Sequence, residues 1–391
     1  MNGRNPFDEI VHRNFADRAV SHGMGRPDQM FGILVGVATT TGQYYFKFGE
    51  VPLYQGDKPV ATEDIVMCIA SNTKVFTATL LALAQLTQTP VEARLNTDVT
   101  DLLPPGTAIK FYENYPIKLW HLATHSAAYP HPLCGQKTVG DYTFDQLTAF
   151  LSAFQPQYQP GTAYHYSDVG FALLGDLLSH AYTPPSAGTC AVWGTTYQQW
   201  PGIVTSNILK PLGMTSTQTG YAGLIDRLAQ PYSYYQTTYA SGFVPVDPPD
   251  FVTGSAGLGA GSLCSTLYDM LLFLENQMAL NLADTLGQAI ALTQVPPAHD
   301  TLAMGLGWQM GNNFFYKNGL LTGSASFMAF DPVNCVAVVA MANSEGNKGV
   351  SLADGCLGTL GDLRGYAAVP YGRPLGVPEP TCPNTAGTTS V

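Results

Sequence analysis

Three short groupings carry side chains that could make and break an acyl bond. The first is Ser71-Asn72-Thr73-Lys74, an S-x-x-K spacing at the start of the apolar stretch TKVFTATLLALAQL. Residues three apart share a helix face, so the Lys74 amine falls beside the Ser71 hydroxyl. A helix N-terminus there also favours developing negative charge. The second is Tyr166-Ser167-Asp168, within GTAYHYSDVGFALLG. A phenol with a pKa of about 10 is a poor base at neutral pH. Two neighbouring ammonium groups would stabilise its anion and lower that pKa, making it a proton shuttle. The third is Lys317-Asn318-Gly319, at the end of a strand-like run. A lysine there could hold an anionic group and tune the phenol, and glycine lets a backbone approach closely. Each grouping taken alone has an ordinary structural reading. These are a chance S-x-x-K on a helix, a tyrosine before a helix cap, and a β-turn bearing a solvated lysine.

The elements that must position these groups follow from periodicity. Phe7, Ile10, Val11 and Phe15 have helical spacing. Phe31–Ala38 and Tyr44–Phe48 read as two strands joined at Thr41–Gly42. Thr73–Leu86 is apolar nearly all round, which places that helix in the centre of the protein. Thr143–Phe154 opens with Thr143 and Gln146, a capping pattern. Val169–His180 and Thr266–Met278 are further helices. Thr183–Gly194 and the Tyr- and Pro-rich Pro231–Asp250 read as loops. Leu306–Met310, Phe314–Lys317, Ser324–Phe330 and Val336–Met341 read as strands, and the last 22 residues are a Pro-rich tail. Sheet pieces at both ends around a helical middle predict one split α/β sheet plus an all-helical lobe.

Composition excludes several classes. The chain has 391 residues, 46% hydrophobic and only 12% charged, so it can bury a large core and is neither disordered nor a coiled coil. Its 17 Lys and Arg against 28 Asp and Glu give a net charge of −11, which disfavours nucleic acid and anionic membrane surfaces as partners. No apolar run reaches the ~18 residues of a transmembrane segment. Seven scattered cysteines form no C-x-x-C pair, and the odd count leaves at least one unpaired. The N-terminal segment MNGRNPFDEIVHRNF has no apolar signal region. The expected compartment is therefore periplasmic or secreted if a leader was removed, and otherwise cytoplasmic.

In order and spacing, roughly 95 and 150 residues apart, the three groupings resemble the motifs of the serine β-lactamase and penicillin-binding-protein superfamily. The branch they resemble most is that of class C β-lactamases and D-alanyl-D-alanine carboxypeptidase/endopeptidases. HLATHSAAYP (His121–Pro130), Tyr166–Leu178, Asn207–Thr217, Ala260–Leu274 and Phe327–Asn343 are similar to further blocks of that family. The likeness runs from about Gly32 to about Asn347. It implies an α/β (α+β) fold of β-lactamase/transpeptidase type, with an antiparallel sheet flanked by helices and an all-helical lobe. The implied division is one bilobed domain over 1–365, with the sheet lobe at about 1–70 and 285–365 and the helical lobe at about 71–284. The tail follows at 366–391.

The resemblance further implies an acyl-enzyme serine hydrolase. Ser71 would be the nucleophile, and Lys74 would help deprotonate and orient it. Tyr166 would serve as general base and then acid, and Lys317 would support it and hold a substrate carboxylate. The backbone N–H groups of Ser71 and Leu320 would form the oxyanion hole. Asp168, Asn318, Gly319 and Asn343 would contact substrate. No metal or organic cofactor is implied. The substrate would be a small molecule or peptide: a β-lactam, a D-Ala-D-Ala peptide or an ester. The oligomeric state is left open.

Three departures lean away from strong β-lactamases. Asp168 stands where the family usually has Asn, and an ionised carboxylate cannot donate a hydrogen bond to a substrate carbonyl. Asn318 replaces a Thr, and Leu321, Thr322 and Ser324 break the glycine-rich stretch after K-x-G. Rival readings are weaker. His121, His125 and His131 invite zinc, but there is no H-E-x-x-H. The G-x-S-x-G of an α/β-hydrolase is absent. Neither Gly257-Leu258-Gly259 nor Gly305-Leu306-Gly307 completes a dinucleotide fingerprint. A non-catalytic penicillin- or peptidoglycan-binding protein would be expected to have lost one of Ser71, Lys74, Tyr166 or Lys317. A carboxylesterase or acyltransferase on the same scaffold remains the second enzymatic reading.

Overall fold

A computed structural model of the chain describes residues 5–21, 32–56, 58–88, 93–104, 106–131, 143–183, 199–236, 241–249, 251, 255–297, 302–345 and 352–364. The readings made for 184–194 and for the C-terminal tail lie outside these residues.

The first helix, α1 (Asp8–Ser21), precedes two strands, β1 (Gly32–Thr39) and β2 (Gly42–Gly49). A two-residue strand, β3 (Met67–Cys68), leads through a tight turn at Ala70–Asn72 into α2 (Thr73–Thr87). The helical middle holds α3 (Phe144–Ala153), α4 (Asp168–Tyr182), α5 (Leu267–Ala279) and α6 (Thr285–Thr293). Between them come β4 (Gln218–Thr219), the hairpin β5 (Tyr232–Gln236) and β6 (Ser241–Pro245), and β7 (Leu263–Ser265). The chain then returns to the sheet with β8 (Gln309–Gly311), β9 (Phe314–Leu321), β10 (Ser324–Asp331) and β11 (Val336–Ala342), and α7 (Leu352–Leu363) follows.

The main sheet is antiparallel, in the order β2-β1-β11-β10-β9-β8. Strands from opposite ends of the chain pair at its centre, with Leu34 opposite Met341 and Val37 opposite Val338. Strand side chains alternate between faces, and both faces here are covered. Ile33, Val35, Val37, Val338 and Ala340 join Phe7, just before α1, Val11 and Phe15 of α1, and Cys356 and Leu360 of α7 in one apolar layer. Leu34, Ala38, Val339 and Met341 face Leu271 and Phe273 of α5 in the other. Each fully buried Val, Leu or Phe contributes ~1.5–3 kcal/mol, so this two-sided burial fixes the strand register.

Side chains at helix starts set where the helices begin. Thr143 and Gln146 cap α3 reciprocally, with N–H···O distances of 3.2 and 2.9 Å. Thr266 accepts from Asp269 N–H at the start of α5, and Ser167 accepts from Gly170 N–H at the start of α4. The central helix α2 is buried from Thr73 to Ala84 and ends at Gln88, whose left-handed backbone returns its N–H to Ala84.

Several readings need correction. The stretch 231–250 is no plain loop, since it forms the β5–β6 hairpin with Tyr232 opposite Pro245. The chain also builds a second small sheet, in the order β3-β7-β4. Strands of two or three residues are too short to show a period of two. The strand expected at Leu306–Met310 starts at Gln309, because Gly305 N–H bonds to Trp308 O in a turn. Helices α6 and α7 were not anticipated. In α7 three glycines depress helix propensity. Tertiary packing overrides them: a Cβ on Gly355 would lie 2.6 Å from the Phe15 ring, and one on Gly358 2.2 Å from Asn14 Oδ1. Those glycines let α1 lie close on α7.

Candidate active site

The turn Ala70–Asn72 places Ser71 just ahead of α2, and Ala70 sits in the left-handed region at φ +50°. A β-carbon makes that conformation costly, so the surroundings must hold it. They do so through Ser326 of β10, whose hydroxyl donates to Ile69 O at 2.8 Å and accepts from Asn72 Nδ2 at 3.0 Å. β9 presses on the same segment. A Cβ on Gly319 would lie 2.3 Å from Ile69 O and 3.0 Å from the Ala70 Cβ, so only glycine fits. This is the physical reason for glycine in K-x-G, and it brings Leu320 to the same edge with its side chain 59% exposed.

Lys74 is fully buried on the first turn of α2. Its Nζ donates to Ser71 Oγ at 2.9 Å, Asp168 Oδ1 at 2.6 Å and Ala260 O at 2.6 Å, using all three of its protons. Burial alone would pull its pKa down, but Asp168 and the Tyr166 phenol outweigh burial and the net shift is upward. Lys74 is therefore a firmly held cation.

Tyr166 Oη donates to Ser71 Oγ at 2.5 Å. The Lys74 and Lys317 ammonium nitrogens lie 5.1 and 4.9 Å from its ring centroid. The expected lowering of its pKa is not met. Burial is the largest influence and raises it, Lys74 pulls it down, and Asp168 pushes it up again, leaving a net rise. The resting phenol is protonated and donates to Ser71. The carboxylate at 168 is one reason the two lysines do not win.

Lys317, 1% exposed, donates to its neighbour's carbonyl, Asn318 O, at 3.1 Å. Burial first, and then repulsion by Lys74, bring its pKa down to about 7. Asn318 itself is exposed on the strand edge. Asn343 is placed differently from a substrate contact. It is buried, its Oδ1 accepts from Gly32 N–H at 2.8 Å and its Nδ2 donates to Gln230 O at 2.9 Å. That amide ties β1 to the end of β11, a structural task.

Two histidines flank the phenol. The His125 ring lies 4.4 Å from the Tyr166 ring and that of His131 lies 5.0 Å from it. His125 Nδ1 accepts the Ser167 N–H at 3.1 Å. Burial, then the charges of Lys317 and Lys74, hold His125 well below the usual histidine range, so it is neutral. His131 accepts the Asp168 N–H on its backbone oxygen, and its Nε2 lies 3.7 Å from Asp168 Oδ2. His121 Nδ1 accepts Lys118 N–H at 2.9 Å. His125 and His131 thus brace the loop around Tyr166, while His121 caps a helix start at Lys118. In the sequence the three histidines stand out as a zinc candidate and, for His121 and His125, through the HLATHS block, whereas nothing marks Ala260 O or Ser326 as supports.

The structure therefore brings Ser71, Lys74, Tyr166, Asp168 and Lys317 into one cluster, with Gly319 and Leu320 on the adjoining strand edge. Chemically, a hydroxyl held by a phenol and an ammonium beside an open strand edge is suited to attack on a carbonyl.

Known structures share this architecture. A β-lactamase/D-alanine carboxypeptidase from Pseudomonas syringae superposes with a TM-score of 0.68 at 19% identity, over 94% of this chain and 100% of that one. A class C β-lactamase in complex with cefoxitin gives 0.67 at 19%, over 91% of this chain and 99% of that one. Fold and lineage together define a serine hydrolase. The Beta-lactamase family model matches residues 16–355, and the chain belongs to that family. Among its relatives, the D-alanyl-D-alanine-carboxypeptidase/endopeptidase AmpH of Escherichia coli (strain K12) is 26% identical over 341 residues, 81% of this chain and 79% of the relative. A β-lactamase of Yersinia enterocolitica is 26% identical over 321 residues, 79% of this chain and 72% of the relative. Among the described residues no helix is long and apolar enough to cross a membrane.

Proposed function

We propose that this protein hydrolyses D-Ala-D-Ala-type peptide amides through an acyl-enzyme on Ser71, with slow turnover of β-lactams. The observation that carries the reading is the convergence of Lys74 Nζ and Tyr166 Oη on Ser71 Oγ, at 2.9 and 2.5 Å. Acylation begins from enzyme in which the phenol has released its proton to solvent. The phenolate takes the Ser71 proton, Oγ attacks the carbonyl, and Tyr166 returns the proton to the leaving amine. Lys74 stays charged against Asp168 and steadies the anions. The N–H groups of Ser71 and Leu320 receive the oxyanion, and Lys317 receives the substrate carboxylate. Water then hydrolyses the ester.

Support for the peptide substrate comes from the carboxypeptidase/endopeptidase name of the relative from Escherichia coli. Slow β-lactam turnover is supported by Asp168, engaged with Lys74 at 2.6 Å, and by the engaged amide of Asn343. A second reading, a carboxylesterase on this fold, is favoured by one feature: Leu320 offers an apolar side chain, 59% exposed, at the strand edge. For the compartment, we infer an oxidising one, because Cys335 is disulfide-bonded.

The test is mass spectrometry after penicillin treatment, joined to a substrate panel of nitrocefin, a D-Ala-D-Ala peptide and p-nitrophenyl butyrate. A stable adduct on Ser71 with peptide turnover is expected, and Ser71→Ala should abolish both while the fold persists. Residual hydrolysis above about a tenth of wild type in that variant would assign the nucleophile elsewhere. Turnover of the ester alone would replace the peptidase reading with the esterase one.

A further inference from the structure

β3 and β7 meet directly behind the turn that carries Ser71. Their register sets Met67 opposite Ser265 and Cys68 opposite Cys264. Ile69 N–H donates to Leu263 O at 2.9 Å, so 69 and 263 form a hydrogen-bonded pair. Antiparallel pairs alternate, which makes 68 and 264 a non-hydrogen-bonded pair, with Cα atoms about 4.5 Å apart and side chains on the same face. That spacing falls within the span a disulfide bridges, about 4.4–6.8 Å. The two Sγ atoms lie 2.6 Å apart, inside the contact distance of unbonded sulfurs.

We propose that Cys68 and Cys264 are a disulfide site, a covalent clamp between the strand that delivers Ser71 and the strand that braces it. The bond forms by exchange with a small-molecule or protein disulfide. The two thiols give up two protons and two electrons, one S–S bond forms, and the oxidant's S–S bond breaks to two thiols. Both cysteines are buried, 3% and 0% exposed, among Val66, Leu224 and Leu228. The mutual hydrogen bond and then burial push the Cys264 thiol well up, so the buried pair exchanges poorly once packed. The bond is thus made as β3 docks on β7 during folding.

The position gives the clamp a role in the site. Cys68 is three residues before Ser71. The β7 side holds Lys74 through Ala260 O, Thr73 through Leu263 N–H and Ile69 through Leu263 O. A bond at this pair joins residues 196 apart in sequence and encloses most of the helical lobe. It also secures the left-handed Ala70 from the side opposite Gly319. The inference stands independently of the substrate and of the assignment of Ser71.

The experiment uses the full chain purified without reductant, refolded once in oxidised glutathione, alkylated in denaturant and digested without reduction. In this structure Cys68, Cys264 and Cys356 are all buried free thiols. A cross-linked peptide joining Cys68 to Cys264 is expected, with Cys356 carrying the alkyl label as internal control. Alkyl label on all three overturns the proposal. The oxidised protein should also lose about 5 °C or more of Tm on reduction. In the double variant Cys68→Ala, Cys264→Ala that loss should shrink to what the Cys335 bridge alone accounts for. An undiminished loss in the variant also overturns it.

Discussion

The two buried lysines of the site belong to different halves of the molecule and behave oppositely. Lys74, on the helical side, has a carboxylate at 2.6 Å and two further acceptors, and its pKa rises. Lys317, on the sheet side, has one carbonyl at 3.1 Å, and its pKa falls to about 7. Burial is the same for both, 0% and 1% exposed. The contrast shows that partner chemistry, rather than depth, decides which amine keeps its charge. The helical half is a fixed-charge platform, while the sheet half is an amine whose charge changes at physiological pH. Tyr166 lies between them and feels both.

The largest way to break this arrangement is to remove the group the halves share. Tyr166→Phe keeps the ring against His125 and the lysines but deletes the hydroxyl that bonds Ser71. We expect kcat for the best substrate of the panel to fall at least ~100-fold, the usual scale of lost general acid–base catalysis. A near-wild-type rate would remove the phenol from the mechanism.

A smaller effect should follow from removing the carboxylate that separates the halves. Asp168 raises the pKa of both Lys74 and Tyr166. Asp168→Asn therefore shifts both downward, so the acid limb of the pH–kcat/KM profile should move to lower pH. Nitrocefin turnover at pH 7 should rise, since a lower phenol pKa enlarges the population of the basic form. A profile that stays in place would show that Asp168 does not govern the phenol.

How much of this was legible in the sequence depended on range. Helix starts were readable because caps are local: Thr143 with Gln146, Ser167 and Thr266 act within three residues. The two-faced sheet was readable from the apolar runs of β1 and β11. The pairing of Ser71, Lys74, Tyr166 and Lys317 was anticipated by the motif order, and distances now support it. Charge states were not readable. The downward shift expected for Tyr166 required the lysines to outweigh both burial and Asp168, a balance only coordinates reveal. Asn343 likewise looked like a substrate contact, because no local pattern tells that Gly32, 311 residues away, uses its side chain. Helix α7 was hidden because its glycines suit the approach of α1 rather than helix formation.

The smallest effect sharpens the contrast between the lysines in stability instead of rate. The Lys317 pKa is about 7 in the folded protein against the ordinary 10.5 when the chain is unfolded. Between those values the unfolded state binds more protons at this group, so its contribution makes stability rise with pH across that window. The corresponding stabilisation is present above the unfolded value and is lost as pH falls through about 7. Lys317→Met keeps a side chain of similar length and has no proton to bind. The variant should therefore be more stable than wild type at pH 6–7, with the difference narrowing toward pH 10, in urea midpoints measured at matched ionic strength. Lys74 gives the opposite expectation, because its folded pKa is raised and Lys74→Met strands the Asp168 carboxylate, which lowers stability throughout that range. Parallel midpoint curves for the two variants would mean that the partners at 2.6 and 3.1 Å do not distinguish these amines after all.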